Sequence, residues 1–260
     1  DPGYTPPKGL RWVKVKAVVK TEASAKRAVF GLTFEKDIPA TLTVEETADG
    51  SFRASIVPGV TGVAVAYYRI RLRVDGTEGL YGLGAWLDDV NNRGKIRPMQ
   101  MELDSTESAS NDNHVPVPLL IGTGGWGFFG ELFHPGVFDV ATQESDLVDF
   151  IAGTGPDSPG GLTFHLFAAA HPLDITKRYY DVTGNPLLPA RWALGPWLWR
   201  DENKDQAEVL SDANIIRDLD LAHTGIWIDR PYATAVNTFD FEPGMFPDPQ
   251  AMIDAVHGLG

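Results

Sequence analysis

The chain has 260 residues, 35 of them acidic against 22 basic for a net charge of −13, with no cysteine, 43% hydrophobic content, 27 Gly and 19 Pro. This is the make-up of a turn-rich globular protein long enough to bury a sizeable core. Its acidity disfavours nucleic-acid phosphates and anionic membrane surfaces as partners, and no apolar run approaches the roughly 20 residues that span a bilayer. Without cysteine there is neither a disulfide nor a thiolate metal site, which suits an oxidising compartment, extracellular or periplasmic, or a hot one. The opening Asp1-Pro2-Gly3-Tyr4 reads as a mature or trimmed terminus rather than a signal peptide.

Up to about residue 170 the apolar pattern has period two, the spacing of half-buried antiparallel strands. It begins with Arg11–Val19 and continues at Ala28–Phe34, Ala40–Val44, Phe52–Val57 and Val63–Val74. In the last run Tyr68, Ile70, Leu72 and Val74 alternate with Arg69, Arg71 and Arg73. Ala48-Asp49-Gly50, Pro58-Gly59 and Asp75-Gly76 supply turn chemistry between runs. Further strands are expected at Val115–Ile121, Trp126–Leu132, Val137–Ala141, Leu147–Ile151 and Leu162–Ala168. Many short strands with closely spaced turns indicate a β-sandwich. Two loops interrupt it, the polar and acidic Leu103–His114 and the Gly/Pro/Asp-rich Gly153–Gly161.

The period then changes. Pro172–Val182 sets Ile175, Tyr179 and Val182 on one helical face, with Gly184 as a stop and Pro186 beyond. After the aromatic run Trp192–Trp199 comes a helix of about five turns. It is opened by the cap-like Asp205-Gln206-Ala207-Glu208 and carries a stripe of Val209, Ala213, Ile216 and Leu219. Ile226–Asp229 reads as a short buried strand, and Asp248-Pro249 opens a last helix with Met252, Ile253 and Val256, ended by Gly258. Residues 191–260 thus follow β-α-β-loop-α order, the opening of a parallel α/β unit. The fold expectation is multidomain β plus α/β: residues 1–188 an antiparallel β-sandwich with a closing helix, residues 189–260 the start of a barrel. A complete (β/α)₈ barrel takes roughly 250 residues, so two βα units are all that fits, and the chain is expected to be part of a longer polypeptide.

Ligands of parallel α/β folds bind at the carboxyl ends of strands, where Arg200 and Asp229 fall. A carboxylate ending an apolar Ile-Trp-Ile run is costly unless paired or used. Its structural account is an ion pair with Arg200 or Arg230; its functional account is a bidentate acceptor for two sugar hydroxyls. Trp199 and Tyr232, near the same ends, are the candidates for stacking on the apolar face of a pyranose, with barrel core as their alternative role. Gly122-Thr123-Gly124-Gly125-Trp126-Gly127 matches G-x-G-x-x-G, but a strand rather than a helix follows, so it reads as a tight turn and no cofactor site is expected. The six histidines have no metal-ligand spacing, and no metal is expected.

In order along the chain, several segments resemble glycoside hydrolase family 31, the retaining α-glycosidases. They are Tyr81-Gly82-Leu83-Gly84 with Asn92-Arg93-Gly94; Val115-Pro116-Val117-Pro118 with Gly125-Trp126-Gly127; Ile175–Asn185 with Pro189-Ala190-Arg191-Trp192-Ala193-Leu194-Gly195; and Ile226-Trp227-Ile228-Asp229 with Phe239-Asp240-Phe241-Glu242-Pro243 and Phe246-Pro247-Asp248-Pro249. The resemblance implies a galactose-mutarotase-like β-sandwich leading into a (β/α)₈ barrel. It also implies a carboxylate nucleophile and a carboxylic acid/base about 5 Å apart. Both are aspartates on later barrel strands in the family, and its nucleophile motif W-x-D-x-N/G-E does not occur here. No catalytic residue is therefore expected in this chain, and its partners are an α-linked oligosaccharide or glycoside and the remainder of the barrel. Asp229 matches the family's carboxylate at subsite −1, giving Asp229, Trp199, Arg200 and Tyr232 as the substrate-binding set. Ala85, where the family usually has Glu after Gly84, and Arg230-Pro231-Tyr232 depart from the pattern. The family also implies that the loop Leu103–His114 reaches over the barrel mouth. A non-catalytic carbohydrate-binding sandwich, or a mutarotase-like enzyme using a His and a carboxylate, are the alternatives of other classes.

Overall fold

The computed structural model describes residues 6, 8–59, 65–100, 115–154, 161–229 and 232–260. The loop at 103–114 with His114, the start of the 63–74 run, most of the 153–161 turn, and Arg230 and Pro231 lie outside the described residues. The chain divides into two compact units, Asp1–Asn185 and Pro186–Gly260.

The first unit is built of antiparallel sheets. Strands β1 (Val15–Ala23), β2 (Arg27–Phe34), β3 (Ile38–Glu46), β4 (Phe52–Pro58), β5 (Tyr67–Arg73), β6 (Leu80–Gly82), β7 (Lys95–Met99), β8 (Leu119–Gly122), β9 (Trp126–Gly130), β10 (Gly136–Val140), β11 (Leu147–Gly153) and β12 (Leu162–Ala168) precede helix α1 (Asp174–Thr183). One sheet has eight strands in the order β1-β2-β3-β4-β12-β9-β8-β6; the other has four, β5-β11-β10-β7. Both contribute to one apolar core. Phe128 and Phe164 come from the large sheet, Phe138 and Phe150 from the small one, and all four rings meet at centroid distances of 4.7–6.1 Å. In β5, Tyr68, Ile70 and Leu72 pack on this core. The arginines on the other face pair with acids of β11 and the turn before it: Arg69 and Arg71 share Asp149, and Arg73 meets Glu144 and Asp146.

Two readings of the strands change, and one is kept. β1 is exposed along its whole length, because it is the outermost strand of the large sheet and the shared core extends no further than β3 on that side. Strands β6 and β7 have no period-two signal. β6 is three residues inside a glycine-rich segment, and β7 contains Pro98, tolerated because β7 is an edge strand of the small sheet. Gly122–Gly127 is a hairpin joining β8 to β9, with Gly122 opposite Trp126. Gly125 turns it with φ +86°, and a Cβ there would stand 2.3 Å from the Ala169 carbonyl oxygen, so no other residue fits.

Helix α1 lies against β9 and β12, burying Ile175 with Leu119 and Phe167, and setting Tyr179 edge-on to Phe129. Val182, expected on the same face, is 40% exposed in the last turn. On this outer face His165 is buried between Phe129 and Phe167 and bonded to Glu131 at 2.7 Å. Arg178 of α1 reaches the β3–β4 turn and donates to the Asp49 carboxylate at 2.9 Å. Burial alone pushes the Asp49 carboxyl up, but hydrogen bonds from Ser51, Thr47 and Arg178 outweigh it and hold the group well below the usual carboxylate range. A depressed folded pKa contributes stability that is complete above the unfolded value and is lost as pH falls through the folded one. The stability gap between the chain and an Asp49→Asn variant is thus expected to be widest near neutral pH and to shrink below about pH 4. Urea titrations of both proteins at neutral and acid pH check this; a gap independent of pH would remove the carboxylate charge from the account.

In the second unit, a short helical turn at Arg191–Leu194 leads into β13 (Trp197–Arg200), α2 (Gln206–Asp218), β14 (Gly225–Ile228) and α3 (Pro249–Gly258). β13 and β14 pair in parallel, Trp199 opposite Trp227 and Arg200 opposite Ile228. α2 is capped by Asp205, whose carboxylate accepts from Glu208 N at 2.9 Å, and α3 by Asp248, which accepts from Ala251 N at 3.0 Å. α2 stops at Asp218, shorter than the periodicity suggests, and leaves Leu219 63% exposed as its cap rather than in the apolar stripe. Val209, Phe246 and Met252 form the buried centre, with Ile226 and Ile228 packed on it.

Candidate functional site

Alternation along a strand sends successive side chains to opposite faces, and here that parity separates two sets of residues. Ile226 and Ile228 of β14 face the helices and join the core of Val209 and Met252. Trp197 and Trp199 of β13, with Trp227 opposite Trp199, take the other face and are 42%, 59% and 60% exposed. Gly225 opposite Trp197 lets this ring lie across the neighbouring strand, since a Cβ there would meet the indole at 2.8 Å. Trp192 leans on Trp197 with ring centroids 5.7 Å apart. β14, expected to be a buried strand, is therefore half-buried, because one of its faces is this open tryptophan surface.

At the carboxyl end of the strand pair, Trp199 Nε1 donates to Asp229 Oδ2 at 2.8 Å. This bond orients the carboxylate on the tryptophan side, next to an exposed indole. Arg200, one residue on from Trp199, has the opposite parity. Its guanidinium clasps Asp212 of α2 through Nε at 2.6 Å and Nη2 at 2.9 Å, and lies 3.9 Å from Glu208. The ion pair of Asp229 with Arg200, the structural alternative read from the sequence, is not formed: Arg200 makes a strand-to-helix pair instead, since Asp229 and Arg200 fall on different faces, while Arg230 lies outside the described residues. Asp212 holds the guanidinium more firmly protonated than a free arginine by hydrogen bond and charge. Asp212 was readable as a signal: it sits on the Val209/Ala213/Ile216 stripe, where an acidic residue needs a partner.

Tyr232 lies past Asp229, its N–H donating to the Asp229 carbonyl at 3.4 Å, and its ring meets Phe241 edge-on at 5.6 Å in the apolar cluster. Of the four residues singled out in the sequence, the structure brings Trp199 and Asp229 into direct contact and gives the Arg200 and Tyr232 side chains other neighbours. The loop after Tyr232 is drawn in by Asp240, whose carboxylate accepts from Thr238 and Thr234, bonds that hold it below its ordinary pKa. A cleft of about 500 Å³ is lined by residues of α2, β14 and α3, with Ile216, Met252 and Val256 among its walls. Among its described lining residues there is no Asp or Glu, and its polar walls are Arg217, His223, Thr224 and His257. Among the described residues no group of three or more His, Cys, Asp or Glu is placed to hold a metal.

Residues 186–260 match the model of the glycosyl hydrolases family 31 TIM-barrel domain. The chain is 26% identical over 188 residues to an alpha-glucosidase of Saccharolobus solfataricus, covering 71% of this chain and 26% of that protein. It is 24% identical over 202 residues to the alpha-xylosidase XylQ of Lactiplantibacillus pentosus, covering 75% of this chain and 25% of that one. The chain thus spans about a quarter of the length of these relatives. In structure it resembles the Flavobacterium johnsoniae family 31 dextranase solved with isomaltotriose, with a TM-score of 0.67 at 17% identity over 94% of this chain and 30% of the other. The chain is accordingly a relative of the family 31 glycoside hydrolases, with residues 186–260 matched to their TIM-barrel domain.

Proposed function

We propose that this chain is the N-terminal portion of a retaining α-glycosidase that releases terminal α-linked sugars, α-glucosides in particular, by double displacement. On this reading residues 1–188 are a galactose-mutarotase-like β-sandwich with its closing helix. Residues 189–260 are the first βα units of a (β/α)₈ barrel, and the remainder of that barrel carries both catalytic aspartates. The observation that carries the reading is the Trp199–Asp229 contact at the carboxyl ends of two parallel strands, the end at which barrel ligands bind. A carboxylate accepts from two adjacent sugar hydroxyls, while an indole face packs on pyranose C–H groups. Arg200 and Tyr232 serve this site as positioning residues, Arg200 by tying β13 to α2 and Tyr232 by closing the turn after Asp229. The glucosidase relative and the isomaltotriose-bound dextranase support an α-glucoside substrate, and the xylosidase marks the nearest competing one.

Saturation-transfer NMR of the 260-residue chain with isomaltotriose tests the site. Transfer to the non-reducing glucose is expected in the chain as it stands, and its loss is expected in Asp229→Ala. No release of nitrophenol from 4-nitrophenyl α-glucoside is expected from either protein. Transfer that survives Asp229→Ala would sink the role of Asp229, and turnover by this chain would sink the assignment of the catalytic pair to the rest of the barrel.

A further inference from the structure

The first unit has a cleft of its own. It is bounded by β2, β3 and β4 of the large sheet, by β5 of the small sheet and by the segment leading into β1, and encloses about 470 Å³, within the range of small-molecule sites. Its floor is apolar: Leu32, Ile56 and Ile70 line it, with the Trp12 ring at one side. The Tyr68 phenol, also on its wall, is pushed above its ordinary pKa by burial, the mark of a poorly hydrated surrounding.

Its charge runs against that of the whole molecule. The chain has 35 acidic and 22 basic residues, yet the charged residues lining the cleft are Arg11, Lys36 and Arg69, with no Asp or Glu among the described lining residues. Arg69 lies over the Trp12 ring, its guanidinium carbon 5.6 Å from the ring centroid. It shares the single carboxylate of Asp149 with Arg71, which leaves that group one positive charge in excess. Its Nε is buried and has no hydrogen-bond partner among the described residues, a donor that favours an acceptor placed beside it. The acids flanking Lys36 are turned to other tasks: Asp37 pairs with Lys16 at 3.1 Å, and Glu35 accepts from the Lys14 backbone N–H at 3.2 Å.

We infer that this cleft binds an amphipathic anion, an aliphatic carboxylate whose tail lies among Leu32, Ile56 and Ile70 and whose head meets Arg11 and Lys36, with the excess positive charge of the Arg69–Arg71 pair nearby. A saccharide suits it poorly, because sugar hydroxyls are recognised by acceptors as well as donors, and the charged groups here only donate. The inference is independent of the glycosidase reading, since it concerns the first unit alone.

Titration calorimetry with decanoate, below its micelle concentration, tests it on the whole chain. One decanoate per chain is expected, with affinity falling as salt rises from about 50 to about 500 mM. The neutral isostere 1-decanol is expected to bind at least about tenfold more weakly. Arg11 and Lys36 are exposed and make no side-chain hydrogen bond or ion pair among the described residues, so the double variant Arg11→Glu/Lys36→Glu leaves the fold intact. It is expected to weaken decanoate about tenfold or more while leaving 1-decanol unchanged. A second variant, Ile56→Trp, fills the cleft and is expected to abolish binding of both. Absence of decanoate binding, equal affinity for 1-decanol, indifference to the charge reversal, or displacement of decanoate by isomaltotriose would each overturn the assignment.

Discussion

Replacing Phe128 with alanine is expected to destabilise the first unit by about 3–5 kcal/mol, the range for removing a fully buried ring. Phe128 is 0% exposed and touches three other rings, Phe138 and Phe150 edge-on at 6.1 and 5.0 Å and Phe164 stacked at 5.5 Å. Because two of those rings belong to the small sheet, the cavity would open between the layers and neither sheet could close it alone. Urea unfolding followed by β-sheet circular dichroism measures this, since twelve of the fourteen described strands lie in the first unit. A loss below about 1 kcal/mol would mean that the layers repack and that the ring cluster is not the seam holding them. Phe128→Leu, which keeps most of the volume, is expected to cost less than half as much.

Replacing Arg93 with methionine is the second large effect. Its guanidinium donates to three backbone carbonyls from two segments far apart in sequence, Glu78 at 2.7 Å and Asp75 at 2.6 Å in one turn, and Ser145 in another. Methionine retains the stem and strips every donor, so three carbonyls lose charged partners at once. Hydrogen bonds to charged groups contribute about 1.5–3 kcal/mol each when buried. Since Arg93 is half-buried and the three share one side chain, about 3 kcal/mol in total is expected. Hydrogen exchange should show Gly79, Leu80 and Thr123, whose N–H groups are bonded in this region, exchanging faster, with α2 and α3 unaffected. Uniform acceleration across both units would refute a local role. The neighbouring Asn92 has a similar job: buried, it donates to the Gly82 carbonyl and accepts from Arg97. The two motif segments around Gly82 and Asn92, which look like separate signatures in the sequence, are thus one hydrogen-bonded knot.

Much of the fold was legible because it rests on period. Alternation in Tyr68–Arg73 and Leu162–Ala168 and the caps at Asp205 and Asp248 translate directly into structure. What escaped has physical reasons. β6 is too short to show a period, β7 carries a proline that only an edge position excuses, and β1 has the pattern of a half-buried strand without a layer to cover it. At the candidate site, Trp199 and Asp229 could be picked out because both end apolar runs. The partner of Arg200 could not be read from strand ends, since which of two adjacent strand residues faces a helix depends on parity, and parity is set by the register of β13 on β14.

That parity has a consequence for how such a site can change. Consecutive residues of one short strand carry unrelated obligations, Trp199 to whatever meets the open indole face and Arg200 to the helix behind it. A substitution at Trp199 or Trp227 can retune ligand preference while the clasp on Asp212 goes on holding strand to helix. A substitution at Arg200 or Asp212 threatens the frame and offers nothing new to a ligand. Diversity within this architecture should therefore accumulate on alternate residues, every second position free to drift and its neighbour held fast.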